Sequence, residues 1–247
     1  MTALLEVRDV HKAYGAIRAV DGVSFSVTAG EILGVIGPNG SGKTTLFNSI
    51  LGQVKPSAGQ VYFEGADVTG MGALPLSRRG IGRTFQSLQV FGRLSVRDNL
   101  IAAGQEFSGS AAGRLFARPD AGLGGRAEEI IALFRIGHVA HLPAGSLSYG
   151  QQKLVDIAMA FMASPRLVLL DEPCAGVNPA LIDELTELLL RLNREHGGTF
   201  VVIEHNMDFV MRLCTRVICM AQGKVLAEGP PEAVQSNRAV LEAYLGV

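Results

Sequence analysis

Gly37-Pro38-Asn39-Gly40-Ser41-Gly42-Lys43-Thr44 is the stretch on which the fold turns. It satisfies G-x-x-x-x-G-K-[ST] at every fixed position, and Thr45 follows it. The run before it, Ile32-Leu33-Gly34-Val35-Ile36, is continuously apolar, as expected for a strand covered on both faces. The run after it, from about Lys43 to Leu51, reads as a helix. Strand, glycine loop and helix in this order make a phosphate cradle. The glycines let backbone N–H groups curl around phosphate oxygens, and the helix N-terminus adds the positive end of its dipole. In this motif the Lys43 ammonium reaches the β- and γ-phosphates, and the Thr44 hydroxyl coordinates Mg2+. A glycine-rich turn without a ligand is the plain alternative, and the agreement of strand, loop and Lys-Thr pair weighs against it. The motif names a nucleotide phosphate and leaves the nucleotide open.

Working outward, the first third alternates in a strand-like way: Leu5 to Val10, Val23 to Val27, and Gln60 to Gly65. Thr28-Ala29-Gly30-Glu31 reads as a tight turn. The last third alternates strand and helix. Leu167 to Asp171, Thr199 to Ile203 and Arg216 to Met220 are apolar strands. Pro179 to Glu195 is a long amphipathic helix with Pro at its start and Gly197-Gly198 at its close. Ala221-Gln222-Gly223-Lys224 is a hairpin turn into Val225 to Gly229. The middle differs. Ser95 to Ala103, Ala127 to Ile136 and Gln151 to Ala163 are helical, and Gly104 to Gly125 reads as a loop or irregular insertion. The expected fold is therefore α/β: a P-loop NTPase core with a mainly parallel sheet, an N-terminal antiparallel β part and an inserted helical subdomain. The core is expected over 1–86 and 164–247 and the helical part over 87–163, within a single domain.

Of the 247 residues 48% are hydrophobic and 18% charged, which excludes collagen-like, mucin-like and disordered classes. Twenty-two Lys plus Arg face 23 Asp plus Glu, a net charge of -1, which argues against nucleic acid as a partner. Cys174, Cys214 and Cys219 show no metal-ligand spacing, so a zinc site or disulfide framework is not expected, and a reducing compartment is. No secretory signal is visible at the start, and no apolar run nears the roughly 18 residues that span a bilayer.

Leu167 to Leu170 delivers Asp171-Glu172-Pro173 to the phosphate site, the Walker B arrangement. Adjacent carboxylates at a strand end are costly unless a cation or hydrogen bonds compensate. Asp171 is expected in the Mg2+ shell, and Glu172 is expected to polarise the attacking water. Without the phosphate loop the pair would read as a solvated acidic turn. His205, after the strand ending at Ile203, is suited to a γ-phosphate contact, although a lone histidine is more often structural. Gln86, in Arg83-Thr84-Phe85-Gln86, has no reading of its own. Leu147-Ser148-Tyr149-Gly150-Gln151-Gln152 precedes a helix. Ser148 can cap it and Gln151 completes a capping box, and the same hydroxyl, glycine and helix start also make an anion site.

With these five motifs in order and spacing, the chain resembles, over essentially its whole length, the ATP-binding subunit of ABC transporters. The resemblance implies ATP and Mg2+ as ligands. It matches Tyr14 to the aromatic that stacks on adenine, and Gln86 to the residue that senses Mg2+ and links the nucleotide site to the membrane partner. It matches Ser148 and Gly150 to residues that contact the γ-phosphate of the opposite subunit. It matches Glu172 to the catalytic base and His205 to the γ-phosphate switch. It implies a head-to-tail dimer around two ATP molecules. Two positions depart from the family pattern: Tyr149 stands where Gly is usual, and Asn178 where Asp is usual, and Asn178 supplies no carboxylate for a charge-dependent role. Asn178 also suits the cap of a helix opened by Pro179.

Arg83 to Phe91, Ala175 to Pro179, Ile203 to Met207, and the ending Glu228-Gly229-Pro230-Pro231-Glu232 with Ala243-Tyr244-Leu245-Gly246 look closer to the ATPases of branched-chain amino-acid importers. Urea or amide importers, the lipopolysaccharide-export ATPase and a regulatory ATPase of the same superfamily are the alternatives. The resemblance implies transmembrane permease partners, a second ATPase subunit and a solute-binding protein serving the same system. It also implies a peripheral position on the cytoplasmic face of the cell membrane. Leu88, Val90 and Phe91, among Gly92 and Arg93, are expected at the groove that receives a permease helix.

Overall fold

Parallel interior strands must be apolar on both faces, because helices cover both. Three segments meet this demand completely. Ile32–Ile36 (β3), Leu167–Asp171 (β7) and Phe200–Ile203 (β8) are buried at every residue. In the computed structural model, which describes residues 3–84, 88–105 and 121–245, they lie inside one six-stranded sheet. Its order is β10-β9-β3-β8-β7-β6, with Ile81–Arg83 as β6, Arg216–Ala221 as β9 and Lys224–Gly229 as β10. Strands β6, β7, β8, β3 and β9 are parallel, and β10 returns antiparallel to β9. The return is the expected hairpin: Gln222 (φ 47°) and Gly223 (φ 79°) both adopt positive φ, as a type I′ turn requires.

Register places the site. Ile36 pairs with Cys219, and Asp171 with Ile203. Residues just past these pairs leave the sheet at one edge, and ligands of open α/β sheets bind outside the carboxyl ends of the strands.

Ala3–Tyr14 (β1), Ile17–Thr28 (β2), Ala58–Phe63 (β4) and Ala66–Asp67 (β5) form a second, antiparallel sheet in the order β2-β1-β4-β5. Helix α1 (Lys43–Ile50) joins the two sheets into one core. Its Leu46, Phe47 and Ile50 cluster with Leu5, Val61 and Phe63 of one sheet and Leu33, Leu169 and Val201 of the other. Each such side chain stabilises the fold by about 1.5–3 kcal/mol before the entropy of ordering is counted.

The chain divides into two compact units: residues 1–86, 166–175 and 179–247, and residues 87–165 with 176–178. The second is helical. Val96–Gly104 (α3) is capped by Ser95, whose hydroxyl accepts the Asp98 N–H at 3.0 Å. Ala121–Phe134 (α4) and Tyr149–Ala160 (α5) complete it, with Phe134 edge-on to Phe161 at 5.3 Å.

Several boundaries differ from expectation. Helix α4 begins at Ala121, not Ala127, so residues 121–125 are helical despite their glycines; 106–120 lie outside the described residues. Helix α5 begins at Tyr149 because Ser148 is its cap, and it stops at Ala160. Several elements are too short for the sequence to establish a period: β6, Ala73–Arg78 (α2), Met207–Leu213 (α7), Pro231–Gln235 (α8) and Arg238–Leu245 (α9). Pro179–His196 (α6) lies as expected. No described helix is long and apolar enough to cross a membrane.

Candidate functional site

The phosphate loop leaves β3 at Gly37, whose φ is 144°, and a Cβ there would lie 2.1 Å from the Met220 carbonyl oxygen. Gly42 has φ 101°, and a Cβ there would lie 2.1 Å from the carbonyl oxygen of Ala19. Only glycine satisfies both the conformation and the space at these two points. Helix α1 then starts at Lys43 with no side-chain cap and no acid in its first turn, an arrangement suited to an anion at its dipole end. Asn39 and Gly40 are exposed at the loop tip, Ser41 is buried, and the Gly223 N–H donates to the Ser41 carbonyl at 3.0 Å. Thr44 is exposed and Thr45 half-buried.

The Lys43 ammonium is folded back on its own loop. It donates to the carbonyls of Gly37 (2.6 Å) and Pro38 (3.0 Å) and to the Ser41 hydroxyl (3.4 Å). Burial depresses its pKa, while Glu172, Cys219 and Asp171 work in the opposite direction. Both Walker B carboxylates therefore act on this ammonium.

Asp171 ends β7 buried, and its N–H donates to the Thr84 hydroxyl at 3.4 Å. Glu172 turns out of the strand with φ 48°, a left-handed conformation costly for a residue with a side chain. Its N–H is secured by the Ile203 carbonyl at 3.0 Å. From the end of β8, His205 brings Nδ1 to 4.0 Å from Glu172 Oε1, and its ring is exposed. Lys43, Asp171, Glu172 and His205 thus converge at one sheet edge.

One residue that organises this edge had no signal strong enough to single it out. Glu204 is fully buried and accepts three backbone N–H groups: Cys174 at 2.7 Å, His205 at 2.8 Å and Asn206 at 3.0 Å. Its marks in the sequence are an acid directly after an apolar strand and its place in the Ile203 to Met207 stretch. Tyr244 is another: its hydroxyl oxygen accepts the Gly37 N–H at 2.8 Å, across 207 residues.

Tyr14 lies at the tip of the β1–β2 hairpin, half exposed, with the Lys12 ammonium 5.1 Å from its ring centroid. Gln86 lies outside the described residues. In the helical unit, the Ser148 hydroxyl accepts the Gln151 N–H at 3.3 Å, and the Gln151 side chain accepts the Ser148 N–H at 3.1 Å, so the expected capping box is complete. Gly150 forms the first turn of α5 with Gln151. Tyr149, the departure from the family pattern, lies exposed beside Gly176, where a Cβ would come within 3.0 Å of its ring.

Among the described residues no group of three His, Cys, Asp or Glu could hold a metal by itself. Thr44 and Asp171 offer a hydroxyl and a carboxylate. That set suits Mg2+, which binds through one or two protein oxygens plus substrate phosphates.

A family model described as ABC transporter matches residues 20–175, and one described as branched-chain amino acid ATP-binding cassette transporter matches residues 224–247. The high-affinity branched-chain amino acid transport ATP-binding protein BraF of Pseudomonas aeruginosa is 34% identical, over 98% of this chain and 98% of its own. A solved ATP-binding cassette of an ABC transporter in its ADP conformation superposes with a TM-score of 0.90 at 36% identity, covering 100% of both chains. A dimeric cassette in a post-hydrolysis state, bound to ADP and Pi, gives 0.75 at 26% identity, over 92% of this chain and 98% of that one.

Proposed function

The chain belongs to the ABC transporter family as an ATP-binding subunit with ATPase activity, and we propose that it powers import of branched-chain or other hydrophobic amino acids. The observation that carries the catalytic reading is the convergence of Lys43, Asp171, Glu172 and His205 at the carboxyl edge of one parallel sheet. The tail's match to the branched-chain family model, and the relatives' names, support the substrate class.

In this reading Tyr14 stacks on adenine, and the N–H groups of residues 39–45 take the phosphates. Lys43 exchanges its loop carbonyls for phosphate oxygens, a charge-assisted contact stronger than the ones it leaves. Thr44 and Asp171, with Gln86 as the resemblance implies, would hold Mg2+, which would supply positive charge to the phosphates when bound. Glu172 accepts a proton from water as the water oxygen attacks the γ-phosphorus and ADP departs. His205 donates to the γ-phosphate. Ser148, Gly150 and Gln151 serve the nucleotide of a second ATPase subunit, so two chains are needed for two sites.

The subunit works against transmembrane permeases at the cytoplasmic face of the membrane, with a solute-binding protein delivering substrate on the other side. Phe91 supports a docking role. Its ring is exposed, while the buried side chain of Asn99 clamps the surrounding backbone, accepting the Phe91 N–H at 2.7 Å and donating to the Phe91 carbonyl at 3.1 Å. The test is uptake of leucine, isoleucine and valine into vesicles holding the complete transporter. ATP-dependent uptake blocked by Lys43→Ala is expected. Intact ATPase activity with no uptake of any hydrophobic amino acid would refute the substrate class and leave the catalytic reading standing.

A further inference from the structure

The phosphate loop and the Asp171-Glu172 pair lie within the stretch matched by the ABC transporter model, but one contact to the loop comes from the far end of the chain. Helix α9 is anchored by buried Val240 and carries an Arg238–Glu242 pair one turn apart. With the loop it lines one cavity of about 400 Å³, whose walls include Pro38, Asn39, Gly40, Gln222, Glu242 and Ala243. Beside this cavity the Tyr244 hydroxyl reaches the Gly37 N–H.

Gly37 is a sensitive place to hold. It is the first residue past β3 and is buried, so its N–H needs a partner inside the protein. Its two backbone polar groups have different partners: the N–H binds Tyr244, and the carbonyl accepts the Lys43 ammonium at 2.6 Å. When Lys43 turns to a phosphate, the carbonyl loses that contact and Tyr244 still tethers the glycine. The conformation so held, φ 144°, keeps Gly37 packed under the Met220 carbonyl.

We infer that Tyr244 is a positioning residue for nucleotide binding, its hydroxyl latching the start of the phosphate loop in the shape that receives the phosphates. The inference rests on the nucleotide-site reading above. The latch pre-organises the loop, so binding no longer has to order it, and affinity is gained without a contact to the ligand. It also makes the tail's docking a determinant of affinity: a chain whose α9 is undocked binds nucleotide more weakly.

Tyr244→Phe in the full chain removes the hydroxyl and keeps the ring. Titration with ADP and Mg2+ should show Kd raised about three- to tenfold, the loss of one net hydrogen bond. The fraction of chains that bind should not change. Hydrogen exchange at the Gly37 amide should quicken. A merely structural role would instead lower the binding-competent fraction and leave Kd alone. An unchanged Kd overturns the latch, whatever happens to exchange or melting temperature. Absence of ADP binding by the wild-type chain would overturn the nucleotide-site reading, and the latch with it.

Discussion

The buried carboxylate of Glu204 accepts the Cys174 N–H at 2.7 Å through one oxygen and the His205 N–H at 2.8 Å through the other. A single side chain thereby ties the turn that carries Glu172 to the strand end that carries His205. Glu204→Gln is nearly isosteric, but its NH2 group must face a backbone N–H. It should destabilise the fold by about 1–3 kcal/mol, read from urea unfolding, and lower turnover more than nucleotide affinity. Unaltered stability would mean that the three N–H groups find other partners.

Glu172→Gln tests the base. The amide keeps the shape and cannot accept a proton, so turnover should fall about a hundred- to ten-thousand-fold while ADP and ATP still bind. ATP should also hold the dimer together longer, visible by size-exclusion chromatography. Near-normal phosphate release would remove Glu172 from the role.

At Gly37, a methyl group has nowhere to go: the Met220 carbonyl is 2.1 Å from its position and φ is 144°. Gly37→Ala should weaken nucleotide binding at least about tenfold, as a backbone strain of about 1–3 kcal/mol is transferred to the loop. Gly40, with φ 79° but open space around it, should tolerate Ala better. Titration of both variants with ADP checks the order.

The Arg216 guanidinium fans out over Glu31, Glu228 and the Ser26 carbonyl, and its Nε donates to Glu31 at 2.7 Å. Burial works to raise the pKa of Glu31, but Arg216 and the Thr28 N–H outweigh it and hold the carboxyl below its ordinary 4.5. With the folded value below the unfolded one, the stabilisation is complete above the unfolded value. It is lost as pH falls through the folded value. Glu31→Gln should cost about 1–3 kcal/mol near neutral pH and flatten the acid limb of the stability curve. Parallel acid limbs for wild type and variant would contradict this.

Phe91→Ala removes an exposed ring from a loop whose backbone Asn99 holds in place. Permease binding or uptake should fall several-fold with ADP affinity unchanged. Retained assembly and uptake would place the docking groove elsewhere. Leu88 and Val90, expected at the same groove, are half-buried, whereas Phe91 and Leu94 are exposed.

Local information was enough for the phosphate loop, the apolar strands and the long helix α6. Each is written in adjacent residues: glycine where φ must be positive, a lysine at a helix start, continuous burial in a parallel strand, Pro at the first turn. Ser148 and Gln151 were legible as a cap because a capping box joins residues only three positions apart. What the chain could not state locally depends on register and long-range contact. That Asp171 pairs with Ile203, so that Glu172 and His205 meet at one edge, is decided by which strands neighbour each other in the sheet. Glu204 counted in the sequence only as part of the Ile203 to Met207 stretch, and burial is what sets its carboxylate among three backbone N–H groups. Tyr244 counted in the sequence only as part of the matching tail, and tertiary structure alone brings its hydroxyl to the Gly37 N–H, across 207 residues. A motif records what neighbours along the chain must do, whereas a buried polar group takes its role from whatever partner the packed interior leaves within reach.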